Sequence, residues 1–343
     1  MYSESDIDAA VDAGAITREA ATALRNHVAV SHSAPAVDEE HFRLLTGFND
    51  IFVSIAVVLV LAALGWIGQS IYTPLSGALI AAAAWGLAEY FTRARRMALP
   101  SIILLLAFVG GIAATLVGVM VEWDPGFSDR ANAVIGGGIA LVAAGAAWIH
   151  WKRFMVPITV AAGALALVGV AVAMVLAAVP QAKESIYPIL LAGGLGVFAL
   201  AMWWDMSDRQ RQTRRSDVAF WLHLAAAPLI AHPVFQMLGA FNASIGLATA
   251  VIVLALYLAF AFVALAIDRR ALLVSSLVYV LFAMYSLFHT AGAVELASAF
   301  TALVIGSALL TLSAFWQPMR RLVVGTLGGI GKRLPPVGRL AVA

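Results

Sequence analysis

From residue 48 to residue 316 the chain alternates between long apolar runs and short polar connections. Each run extends over roughly 17–25 residues, the length a helix needs to cross about 30 Å of hydrocarbon at about 1.5 Å per residue. Ten spans are predicted, near 50–69, 73–92, 100–121, 131–150, 156–179, 187–204, 218–239, 244–267, 271–289 and 294–316. The connections are too short to hold a folded domain. A backbone in hydrocarbon must satisfy its own hydrogen bonds, so the fold class expected is all-α, a polytopic transmembrane helix bundle.

Residues 1–47 break this pattern and are polar and acidic. Ser5-x-x-Asp8 reads as a capping box opening a short helix through Ile7, Ala10 and Val11 that stops at Gly14. Thr17 is placed to cap a second helix carrying Ala20, Ala21, Leu24 and Val28 on one stripe. The chain therefore divides into an N-terminal helical hairpin (1–47), a ten-span domain (48–316) and a basic tail (317–343). No basic segment leads into an apolar one near the start. The span beginning near Asp50 is therefore expected to act as an uncleaved signal anchor.

Composition agrees with the pattern. Hydrophobic residues make up 62% and charged residues 12%, where a soluble domain has about 45–50% and about 25%. Cysteine is absent, which excludes disulfides, thiolate metal sites and a cysteine nucleophile.

Charge then gives an orientation. The basic connections hold Arg93, Arg95 and Arg96; Lys152 and Arg153; Arg209, Arg211, Arg214 and Arg215; and Arg269 and Arg270. The tail adds Arg320, Arg321, Lys332, Arg333 and Arg339, and the hairpin adds Arg18, Arg25 and Arg43. These are nineteen of the 21 cations, and only Arg130 and Lys183 fall in the alternate connections. Basic residues are retained in the cytoplasm. Ten spans with this alternation put both termini there, in a bacterial cytoplasmic membrane. The outer face is slightly acidic, with Glu122, Asp124, Asp129, Glu184 and Glu295. The lipid bilayer is thus the expected partner, with a homo-oligomer or a cytoplasmic protein left open. Nucleic acid is not expected, because the second hairpin helix offers only Arg18 and Arg25.

Most polar residues sit at span ends, where anchoring accounts for them. Glu89 precedes Arg93 by one turn and can pair with it. Asp205 and Asp268 lie at the boundary beside arginines, and Asn49 or Asp50 suits the start of the first span. Gly110-Gly111, Gly136-Gly137-Gly138, and Gly193-Gly194 with Gly196 are placed to let helices approach closely.

The seventh span is the exception. It carries His223 and His232 together with Pro228 and Pro233. Each proline removes a helical hydrogen bond, so a kink is expected. Nine residues at about 100° each put the two histidines on opposite faces, so they cannot share one metal ion. His232 and Gln236 share a face, and His289 and Glu295 flank the outer turn after the ninth span. The candidate intramembrane polar site is therefore His223, His232, Gln236, His289 and Glu295. An outer-facing cluster of the last four is its sharpest form. Neutral histidines bonded between helices are the plain alternative.

No catalytic residue, cofactor or metal site is assigned. The acidic turn 122–129 lacks the ligand spacing of a calcium loop. In the stretch 325–333, Thr326 stands where a phosphate loop needs its first glycine and Arg333 where it needs Ser or Thr. The tail is instead expected to lie on the anionic inner leaflet.

The run from Ile7 to Ala21, with Gly14-Ala15-Ile16-Thr17-Arg18-Glu19-Ala20 at its centre, resembles the opening of the DUF2157 group. In those prokaryotic proteins a short helical segment precedes many spans. The resemblance implies that layout and transfers no site. Three function classes remain open: a small-solute transporter or permease, a non-catalytic membrane sensor or scaffold acting through the hairpin, and a membrane enzyme on lipid or envelope precursors.

Overall fold

The computed structural model describes residues 4–31, 48–123, 126–209, 211, 213–239, 247–290, 296–329, 331 and 334–335. The described residues are helical with no strand. Two short helices form the hairpin, α1 (Glu4–Asp12) and α2 (Arg18–Ser31). Gly14 turns the chain between them at φ 70°, and the Thr17 hydroxyl accepts from Ala20 N at 3.1 Å, capping α2 as expected. Ser5 already lies within α1, so the proposed box does not open that helix. Ala21 is buried against the hairpin partner while Leu24 is exposed, which narrows the apolar stripe.

The spans follow as α3 (Phe48–Ile71), α4 (Thr73–Ala88), α5 (Ala98–Trp123), α6 (Asp129–Phe154) and α7 (Ile158–Ala178). Then come α8 (Ile186–Ser207), α9 (Arg214–Met237), α10 (Leu247–Ile267), α11 (Ala271–Thr290) and α12 (Ala297–Ala314). Among the described residues nine of these are long and apolar enough to cross a membrane by themselves. The remaining one, α4, stops as an α-helix at Ala88 and continues as a π-helix over Glu89–Ala94. Together they cover the predicted second span. Large apolar side chains face outward, including Trp66, Leu258 and Leu310. That is the arrangement of a multi-pass membrane protein, whose solvent for these faces is lipid.

Helices pack chiefly as consecutive pairs, α4 on α5, α6 on α7 and α8 on α9. Glycine decides where the closest approaches fall. A Cβ at Gly111 would come within 2.8 Å of the backbone of Gly77 and Ala81, and one at Gly118 within 2.9 Å of Pro74. A Cβ at Gly194 would meet Leu229 at 2.8 Å. Gly110, Gly136, Gly138 and Gly196 face open space, so only part of the predicted glycine set carries contacts.

Two packing centres result. In the first half Val57, Leu61, Ala84, Ala88 and Leu104 join α3, α4 and α5. In the second half α9 is the hub. One of its faces meets α7 and α8 through Val218, Leu222, Ala226 and Ile230. Another meets α10, α11 and α12 through Ala231 and Phe235. Within its apolar window α9 is 56% buried, against 17–44% for the other long spans. The tail then forms α13 (Trp316–Thr326). It packs on α10 and α12, so the described part of the tail is docked on the bundle instead of lying free on a leaflet.

Candidate functional site

The start of α9 is fixed by its own loop. Asp208 Oδ2 accepts from Thr213 N at 2.8 Å and from Thr213 Oγ1 at 2.7 Å, and Thr213 Oγ1 caps the helix by accepting from Arg215 N at 3.3 Å. From there α9 runs continuously through Pro228 and Pro233 to Met237. Pro233 has no N–H, so the carbonyl of Leu229, four residues back, has no helical donor. Gly194 of α8 lies against that carbonyl. The proline and the glycine therefore serve one close helix crossing.

His223 is 2% exposed. Its Nε2 lies 2.9 Å from Asp205 Oδ2 at the end of α8. An ionised carboxylate only accepts, so Nε2 carries the proton of this bond. Arg269, from the α10–α11 turn, donates Nη2 to Asp205 Oδ1 at 2.5 Å and Nε to Oδ2 at 3.2 Å. Its Nη2 also reaches Ser216 O at 3.3 Å. Asp205 and Arg269 are as buried as the histidine. The fork-to-fork pairing makes this a strong, directional contact. His223 Nδ1 has no hydrogen-bond partner among the described residues, and the ring of Phe198 stands 5.3 Å from the imidazole.

The next residue in the same turn holds a second cluster. Asp268 adopts φ 58° and is 3% exposed. Its Oδ2 accepts from Arg211 Nη1 at 2.8 Å, and its Oδ1 accepts from Trp316 Nε1 at 2.8 Å. Arg320, fully buried, places Nε 3.5 Å from the same Oδ1. Three guanidiniums thus face two carboxylates and one imidazole. Sequence alone places Asp205 and Asp268 at the boundary beside arginines. The structure buries both and joins them through adjacent positions of one turn.

His232 lies elsewhere. Its Nδ1 is 2.5 Å from Tyr279 Oη on α11, and the Tyr187 ring is 5.8 Å away. Tyr279 in turn stacks on Phe235 at 4.4 Å. Gln236 is partly buried one turn further along, and His289 is exposed beside Tyr285. No hydrogen bond joins His232 to His223, Gln236 or His289 among the described residues. Glu295 lies outside the described residues. His232 and His223 point to different partners, as their spacing requires, and are about 13.5 Å apart along the helix. Among the described residues no group of three His, Asp or Glu side chains is placed to hold a metal ion.

A second buried histidine escaped the sequence reading. His150 of α6 is fully buried among Trp85, Phe108 and Phe154 and meets Thr159 Oγ1 at 3.3 Å. Nearby, Glu89 bonds mainly to Arg153, at 2.7 and 2.9 Å. The expected pair with Arg93 is also present, at 3.3 Å. Asp50 lies in the first turn of α3, buried, and lines a cleft of about 440 Å³ with Asn49, Tyr90 and Arg95. No family model, curated protein or solved structure matches the chain.

Proposed function

We propose that this chain is a small-solute transporter of a bacterial cytoplasmic membrane, with the basic end and both termini in the cytoplasm and the solute path beside α9. The observation that carries this reading is the buried Asp205–His223–Arg269 cluster, in which His223 of the most buried span is tied to the end of α8 and to the α10–α11 turn. An ionisable group within a span is costly and by default marks a functional site, and His223 is such a group. Here a carboxylate, itself held by a guanidinium, accepts from one imidazole nitrogen and leaves the other as a lone pair. That arrangement can take up and release one proton. Uptake adds a cation beside Arg269 and Arg211. The repulsion loosens the α10–α11 turn from Asp205, which couples a proton to opening of the basic end. The two prolines give α9 the hinge such a motion needs. In this reading the structure is the state closed at that end. The likeness of residues 7–21 to the DUF2157 group is part of the same proposal.

The absence of cysteine provides a clean background for the test. Ala219→Cys and Ala231→Cys, both at fully buried positions of α9, are exposed to a charged thiol reagent from each side of oriented vesicles. A transporter gives labelling of Ala219→Cys from the basic-loop side and of Ala231→Cys from the other, with rates that shift against each other with pH. Inert positions under all conditions contradict it.

A second reading has its own support. The α1–α2 hairpin is joined by an Arg25–Asp8 pair at 2.6 Å and buries Ala21. Such a unit suits a membrane sensor or scaffold. Deleting residues 1–45 with no change in any bound partner removes that role.

A further inference from the structure

We infer that the C-terminal helix α13, together with Leu334 and Pro335, forms a strap that holds the basic end of the bundle shut over the Asp205–His223 pair. This rests on the transport reading only in assuming that this end opens. The strap is bonded at three places. Trp316 Nε1 donates to Asp268 Oδ1 at 2.8 Å, and the Arg270 guanidinium lies 4.7 Å over the same indole. Arg320 reaches back to Pro335 O at 2.7 Å, fixing the returning chain against its own helix. Arg209, from the α8–α9 loop, donates to Leu334 O at 3.1 Å. Leu334 itself is buried against Ala266 and Ile267 at the end of α10, with Phe198 packed on the same group.

The geometry gives the strap a direct connection to the buried Asp205–His223–Arg269 cluster. Asp268 takes the tryptophan and arginine of the tail, and Arg269, the next residue, takes Asp205. Arg211 closes the other side by bonding Asp268 Oδ2 and the carbonyl of Ile267, so both loops that flank His223 are tied to the tail. Holding Asp268 fixes the turn from which Arg269 reaches Asp205. Phe198 touches both the His223 ring and the strap's apolar foot. Releasing the tail frees the turn and the loop together. A basic tail that merely coated a lipid surface would not bury an arginine fully or direct an indole N–H at a carboxylate.

The test uses the full chain carrying Ala219→Cys, labelled from the basic-loop side, with and without Trp316→Phe plus Arg320→Gln. Leu322→Ala, at an exposed position of the same helix, is the control. The strap gives at least a tenfold faster labelling in the double variant and no change in the control. Equal, measurable rates in all three overturn the strap while leaving the transport reading intact. No labelling in any of them overturns both. Should the double variant fail to fold, Ala266→Cys with Leu334→Cys is oxidised to staple the strap's foot in place. Amide exchange across residues 213–226 then slows severalfold if the strap governs this end, and an unchanged exchange rate overturns it.

Discussion

The two halves of the bundle use the same ingredients at their basic ends and assemble them differently. In the first half Glu89, in the π-helix after α4, meets Arg153 of α6 with its side chain one-third exposed, and the nearby His150 sits in an aromatic box with Thr159 as its polar partner among the described residues. In the second half Asp205 meets Arg269 at 1–2% exposure, and His223 is part of the same cluster. An exposed pair is weak because water competes for both ions. A buried pair is committed, since removing one partner strands an uncompensated charge. The first half therefore reads as a scaffold clamped at its rim. The second half has its charges, its histidine and its prolines gathered around one central helix.

The largest effect that would break this contrast is at Asp205. Asp205→Ala should destabilise the protein by about 3–5 kcal/mol, the range for breaking a buried pair, read as loss of folded protein in detergent melts. Asp205→Asn, which keeps an acceptor for Arg269, should lose less. A near-neutral Asp205→Ala would place the cluster in water after all.

The histidines sharpen the comparison next. His223→Phe removes the donor to Asp205 and should cost about 1–3 kcal/mol. His150→Phe should stay within about 1 kcal/mol, because an aromatic ring of similar shape suits its box and no charge depends on it. Equal losses would erase the distinction between the halves. Smaller but more local is the crossing behind the cluster. Gly194→Ala should cost about 1–3 kcal/mol through collision with the Leu229 backbone, while Gly196→Ala, facing open space, should be silent. The smallest change is expected for Glu89→Gln, with thermal stability nearly unaltered and any residual effect diminishing as salt is added.

The spans were legible because each apolar run is long and its borders are charged. The helical interruption at Glu89–Ala94 was not, since its residues differ little from those of an ordinary helix end. In the N-terminal hairpin, Thr17 and Gly14 announced their roles because capping and turning are local. The candidate site was visible only in part. His223 was selected for being a polar residue in a proline-bearing span. Its partner Asp205 is 18 residues away, and the arginine that holds this carboxylate, Arg269, is 64 residues from Asp205. No local pattern relates them, and each charge alone has an ordinary explanation as a span anchor. Trp316 and Arg320 were hidden for the same reason, as an aromatic and a cation at the end of an apolar run usually mark the interface. His232 stands out in the sequence as a polar residue of an apolar run, but its contact with Tyr279 depends on how α9 and α11 pack.

One measurement bears directly on the claim that the second half is the working half. Ala226→Cys lies three residues beyond His223 and Ala147→Cys three before His150, both at positions no more than 1% exposed. In the same membranes, a small charged thiol reagent should modify Ala226→Cys at a rate that depends on pH while Ala147→Cys stays inert. Equal reactivity at the two positions, or none at Ala226→Cys across the pH range, would contradict it.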